Sequence, residues 1–222
     1  VPSTLGPCRT GQYHVFYDRI FEEMGWENVM MMVSSSEDSY RELGKTFTKD
    51  VWRGLSLADY FIDARIGARL LASDPQSAVA EVDQVWDEVC DGLVEGPKAL
   101  DKALAKAGRR LTAIPRKRSL EEIPRVLIVG EIYVRRDDFS IGQVRDFLID
   151  RGIYPKVTGI TEWFYYTDYA RKLLMEERRQ RDGLRKTFWQ GGVREELFFL
   201  VESAWKHNVE RKIRKQLMPT GL

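Results

Sequence analysis

The run Val126-Leu127-Ile128-Val129-Gly130-Glu131-Ile132-Tyr133 constrains the fold more than any other stretch of the chain. It starts just after Pro124 and is apolar at successive positions, so it reads as a strand covered on both faces, the usual state of strands in parallel sheets. A parallel neighbour requires a crossover connection. The sequence supplies one: Ile141 to Arg151 places Ile141, Val144, Phe147 and Leu148 at helical spacing, and Gly152 fits a helix cap with positive φ. Lys156 to Ile160 then reads as the next strand, so 126–160 predicts a right-handed β-α-β unit. Asn28 to Val33 reads as a further buried strand ending in Ser34-Ser35-Ser36. Those serines would sit at the carboxyl end of the strand, where open α/β sheets bind ligands. The expected fold class is therefore α/β, with a small, mostly parallel sheet flanked by helices.

Between these strands the period changes to helical. Residues 12–24 carry Tyr13, Phe16, Tyr17, Ile20 and Met24 at three- and four-residue steps, with Gly25 as a stop. Asp50 to Ala72 repeats the pattern through Trp52, Leu55, Phe61, Ile62, Ile66 and Leu70, until Asp74-Pro75 breaks it. Ser77 to Leu93 and Pro97 to Ala107 predict two more helices, and 108–124, with two prolines and several arginines, reads as a solvated linker. Two long helices, Thr161 to Arg181 and Arg194 to Leu217, close the chain on either side of Gly191-Gly192. The resulting organisation is an α/β part formed from 1–49 and 125–222 around a helical insertion and linker at 50–124.

The 222 residues suffice for one domain or two small ones. Lys+Arg 35 against Asp+Glu 34 leaves a net charge of +1, which calls for neither nucleic acid nor an anionic membrane as partner. The longest apolar runs, Val29 to Val33 and Leu197 to Val201, are too short to cross a bilayer. No basic region followed by an apolar one marks a signal peptide. Only two cysteines, without a disulfide framework, point to a reducing, cytoplasmic setting. Val1 is not an initiator residue, and a cysteine turn this near the start suggests a piece of something longer.

Cys8 lies in Gly6-Pro7-Cys8-Arg9-Thr10-Gly11, on a tight turn just before a predicted helix. Unpaired amides at a helix start favour a thiolate, the form that ligates metals and attacks electrophiles. A metal or cluster ligand, a nucleophile helped by His14, and an inert terminal cysteine all remain open on this context. Cys90 follows Trp86 and Val89 on an amphipathic helix and reads as a small apolar residue. Glu131, Tyr133 and Arg135 end the central strand with a carboxylate, a phenol and a guanidinium. A buried Glu131 would need a partner, for which Arg135 is the candidate. No Gly-x-Gly-x-x-Gly or Walker-type loop follows the strand, which disfavours a dinucleotide fold of the usual kind. Trp163 to Tyr169 form an aromatic cluster suited to core, interface or a pocket wall.

Five segments in order resemble the 2-hydroxyacyl-CoA dehydratase D-component family, most closely its branch of large activase-related proteins. They are Gly6-Pro7-Cys8-Arg9-Thr10-Gly11-Gln12-Tyr13, Ser34-Ser35-Ser36-Glu37, Trp52-Arg53-Gly54, Val129 to Arg135 followed by Phe139, and Glu162-Trp163 with Tyr165 to Tyr169. The resemblance covers nearly the whole chain. It implies a Rossmann-like domain with a helical insertion, in an anaerobic iron–sulfur protein. There a 4Fe–4S cluster is held by cysteines from separate segments, and an ATP-dependent activator injects one electron for radical dehydration or reduction of an acyl-CoA. It implies that Cys8 is one cluster ligand, with the cluster absent from this chain alone. Ser35, Ser36, Glu131, Tyr133 and Arg135 would form part of the substrate wall. The expected partners are the activator module, a sister dehydratase-like domain and an acyl-CoA or small-molecule substrate. A truncated sheet would also expose an edge able to pair with a second copy as a homodimer. The rival expectation is a non-catalytic docking domain that uses 163–169 and 194–217 to bind the activator or a sister module.

Overall fold

The computed structural model describes residues 2–3, 12–35, 40, 43–44, 46–189 and 192–217. It divides into two compact units, one within 1–51 and one within 52–222. In the first, β1 (Pro2–Ser3) pairs in parallel with β2 (Ser34–Ser35), and α1 (Tyr13–Glu23) lies between them in sequence.

The second unit is built on α2 (Phe47–Leu71), whose length beyond Val51 belongs to it. Asp74 accepts hydrogen bonds from the amides of Gln76 (3.1 Å) and Ser77 (3.2 Å), and Pro75 occupies the first turn, so the expected helix break is the start of α3 (Pro75–Glu95). Gly96, at φ 114°, turns the chain into α4 (Pro97–Thr112). Leu57, Phe61, Ala64 and Ala68 of α2 pack with Val82, Val85 and Val89 of α3 and with Leu100, Leu104 and Leu111 of α4. Ile213 and Leu217 of α7 (Gly192–Leu217) complete this core. Helices α4 and α7 approach so closely that a Cβ on Gly108 would clash with the Gln216 carbonyl oxygen.

A second, smaller core lies against another stripe of α2. Ile66, Leu70 and Leu71 meet Ile123, Ile149 and Tyr154 there. It anchors the predicted β-α-β unit: β3 (Arg125–Ile128), α5 (Asp138–Asp150) and β4 (Tyr154–Val157), with β3 and β4 parallel and Arg125 opposite Tyr154. Helix α6 (Ile160–Trp189) follows and is kinked at Gly183, whose φ is 72°. The break between the last two helices was expected at Gly191-Gly192, and Gly191 lies outside the described residues.

The expected Rossmann-like sheet is not what forms. The chain is mostly helical, and its strands among the described residues make two separate two-stranded parallel pairs. Two local causes are visible. The run 29–33 does not form a strand, and Met30 is 92% exposed rather than buried. Strand β3 stops at Ile128 because Gly130 adopts φ 141° and the chain then folds into a turn. That turn is closed by the Arg135 amide on the Glu131 carbonyl (3.1 Å) and the Asp137 amide on the Tyr133 carbonyl (2.9 Å). Residues 108–112, expected in a linker, instead extend α4, because Leu111 is fully buried. Among the described residues no helix is long and apolar enough to cross a membrane.

Candidate functional site

The turn at 131–137 follows the carboxyl end of β3, and a buried latch fixes it from below. Asp59, on α2, accepts hydrogen bonds from the amides of Ile160 (3.1 Å) and Thr161 (2.9 Å) and from the Thr161 hydroxyl (2.7 Å). It therefore caps α6 from another helix, satisfying donors that a helix start otherwise leaves unpaired. The same carboxylate is paired with Arg136, and both side chains are largely buried, at 13% and 16% exposure. A Cβ at Gly159 would crowd the Asp59 carboxylate, so glycine there leaves room for this contact. One helical turn on, Asp63 pairs with Lys156, and the Tyr154 hydroxyl reaches the Asp63 carbonyl oxygen (3.4 Å). Burial pushes the Asp63 carboxyl up, and the Lys156 ammonium opposes it.

Arg135 turns inward beside this latch. It donates to the buried Thr158 hydroxyl and to the Gly159 carbonyl oxygen (3.4 Å), both neutral acceptors. The expected Glu131–Arg135 ion pair does not form. Glu131 is exposed and accepts from the Val134 amide (2.8 Å), which tightens the turn, while Tyr133 is 71% exposed beside it. Glu131 and Tyr133 thus face solvent on a turn whose arginines are anchored underneath.

On the inner side the arginines open onto a cleft of about 640 Å³ between α2, the start of α3, the turn and α5. Arg65, Arg69, Arg135, Arg136 and Arg145 all line it, against two carboxylates, Asp138 and Asp146. Arg69 pairs with Asp146 at 2.6 Å, Arg145 with Asp138 at 2.8 Å, and Arg65 with Asp83 at 3.2 Å. Hydrogen bonding from Arg69 holds the Asp146 carboxyl below its usual range. Arg135 has no carboxylate partner among the described residues, and its Nε and that of Arg136 are buried without a hydrogen-bond acceptor.

The other expected site residues do not join this group. Cys8 and Ser36 lie outside the described residues. Ser35 ends β2, in the other unit from Glu131, Tyr133 and Arg135. His14 is on α1, its Nδ1 enclosed without a hydrogen-bond partner among the described residues. Cys90 is half-buried on α3, and burial with Asp87 and Asp91 nearby pushes its thiol up, which disfavours the thiolate a metal would need. Among the described residues no group of three or more His, Cys, Asp or Glu is placed to hold a metal. Those described residues offer no fit for a cluster.

The aromatic segment divides by face. Phe164 and Tyr165 pack edge-on against Trp52, at 5.7 Å and 5.5 Å between ring centroids, while Tyr166 and Tyr169 are exposed. Sequence reasoning missed Asp59, Arg136 and the cleft residues Arg65, Arg69, Arg145 and Asp146. A signal was present: Asp59 and Asp63, and then Arg65 and Arg69, recur at four-residue steps within α2. No family model, curated protein or solved structure matches the chain.

Proposed function

We propose that this chain is a module of a 2-hydroxyacyl-CoA dehydratase-like iron–sulfur protein and that it binds an acyl thioester against the turn after β3. The observation that carries the reading is the turn itself: Glu131 and Tyr133 are presented to solvent while Arg135 and Arg136 pin the backbone to Thr158 and Asp59. A pre-fixed turn with a donor and an acceptor exposed is suited to orienting a polar acyl group without an ordering cost. The five ordered segments described above support the family. In this reading Cys8 supplies one thiolate to a 4Fe–4S cluster, the remaining ligands come from a sister domain, and an ATP-dependent activator is the electron donor. The chain would serve a lyase or reductase only within that larger assembly, in the cytoplasm.

The test is titration of the chain with a phosphate-free acyl-pantetheine thioester, followed calorimetrically. Saturable binding that weakens at least about fivefold in Glu131→Ala and in Tyr133→Phe supports the reading, the loss expected for one hydrogen bond each. Absence of binding, or equal binding by all three proteins, refutes it.

One observation favours the docking reading instead. Leu197, Phe198, Leu200 and Val201 on α7 are each about 60% exposed or more, and Tyr166 and Tyr169 on α6 are similarly bare. A run this apolar on a surface helix is unusual unless something covers it. That reading predicts that Leu197→Ser with Phe198→Ser abolishes association with the activator or sister module while Glu131→Ala leaves it intact.

A further inference from the structure

We infer that the arginine-lined cleft between α2, α5 and the 131–137 turn is a binding site for an organic phosphate. The inference does not rest on the thioester reading, because it concerns the inner side of the turn and a different chemical group. Five guanidinium groups line one cavity against two carboxylates. Four of these guanidiniums are already paired, with Asp83, Asp146, Asp59 and Asp138, so the charge left without a carboxylate among the described residues is that of Arg135, and an anion entering the cleft would compensate it. Guanidinium forks match phosphate oxygens in pairs, and they do so best where water is partly excluded. The volume, about 640 Å³, suits a small organic ligand rather than a lone ion. Ile62, Ile66, Val79 and Val157 also line the cleft, giving an apolar wall beside the charged groups for the body that carries the phosphate.

Arg135 marks where the phosphate goes. It is the one cleft arginine held only by neutral oxygens among the described residues, so its full charge is uncompensated, and its Nε is a buried donor without an acceptor. Buried donors are rarely left unpaired in a finished site. Arg145 is the second contact. Its present partner, Asp138, is 80% exposed, whereas Arg145 is 24% exposed, so the carboxylate can swing into water and leave the guanidinium to the ligand. Asp138 is therefore a built-in competitor. Asp146 stays with Arg69, which is fixed on α2.

Pyrophosphate is the first probe, measured by calorimetric titration of the full chain at low salt. We expect saturable binding that weakens as salt is raised. Arg135→Gln and Arg145→Gln should each weaken it by about tenfold or more, the loss expected for a charge-assisted contact. Asp138→Asn should tighten it several-fold, an effect that a purely structural role for Asp138 would not produce. Thermal melts establish that each variant is folded, and the exposed Asp138→Asn carries the test if Arg135→Gln is not. Two further arms separate the sources of phosphate: coenzyme A against pantetheine, and ATP against adenosine. Tight binding of either phosphorylated member with weak binding of its phosphate-free counterpart supports the site and identifies the source. No binding of pyrophosphate at millimolar concentration, or equal binding by wild type, Arg145→Gln and Asp138→Asn, overturns the inference.

Discussion

Asp59→Ala should be strongly destabilising to the second unit. The carboxylate caps α6 through two amides and a hydroxyl and neutralises Arg136, with both members of the pair mostly buried. Loss of a helix cap costs about 1–2 kcal/mol. Removing one partner of a buried ion pair costs about 3–5 kcal/mol, because the other charge is left behind unpaired. The two effects share one side chain and do not simply add, so the expected loss is about 3–5 kcal/mol in total. Urea unfolding followed by circular dichroism reads this directly. With a slope near 2 kcal/mol per molar urea, the midpoint should fall by roughly 2 M at an unchanged slope. A double-mutant cycle with Arg136→Ala isolates the pair and should return a coupling of about 1.5–3 kcal/mol. If Asp59→Ala costs less than about 1 kcal/mol, or if the cycle shows no coupling, the latch does not hold the turn and the site geometry built on it is wrong.

Other outcomes follow from the same contacts. Gly108→Ala forces α4 away from the Gln216 carbonyl and should cost about 1–3 kcal/mol by thermal melting, whereas Gly142→Ala, where a Cβ meets open space, should be neutral or stabilising. Hydrogen bonding to Arg110 lowers the Glu81 carboxyl. A depressed carboxyl contributes stability above its unfolded value, near 4.5, and loses it as pH falls through the folded value, so Arg110→Gln should flatten the acid limb of the stability profile below pH 4.5. Asp63 has the opposite sign. Its raised carboxyl favours the folded state when protonated, so Lys156→Met should cost most at pH 7 and progressively less as the pH is lowered and Asp63 takes up its proton. Leu197→Ser with Phe198→Ser, at exposed positions, should shift stability by no more than about 0.5 kcal/mol.

The helical part of the fold was legible because it is periodic. Trp52, Phe61, Ile66 and Leu70 announce α2, and Val82, Val85 and Val89 announce α3. The crossover from β3 through α5 to β4 was legible for the same reason, with Gly152 at φ 71° closing α5. Strand length was not. Whether an apolar run becomes a long strand depends on pairing along its edges, and neither 29–33 nor 129–133 is strand in the fold. The end of α4 was misplaced because Arg109 and Arg110 look solvated. In the fold Arg110 spans Glu81 (2.6 Å) and Glu88 (2.6 Å), a long-range fact that composition does not carry. Arg135 stands out in the sequence by its place after the strand, but its partner is not Glu131. The turn aims it at Thr158, while the local Val134 amide takes Glu131. Asp59 was invisible because its meaning lies in Gly159 to Thr161, about a hundred residues further along the chain.

The central claim is that this chain works within a dehydratase-like iron–sulfur protein, and one measurement tests it most directly. The natural polypeptide that carries these residues would be reconstituted anaerobically with iron and sulfide, as wild type and as Cys8→Ala. Iron content and the electron paramagnetic resonance spectrum of the reduced protein would then be compared. The account predicts a four-iron cluster in the wild type that is lost or spectroscopically altered in Cys8→Ala. A wild type that takes up no iron, or a variant whose cluster is indistinguishable from it, would contradict the account and leave the docking reading in its place.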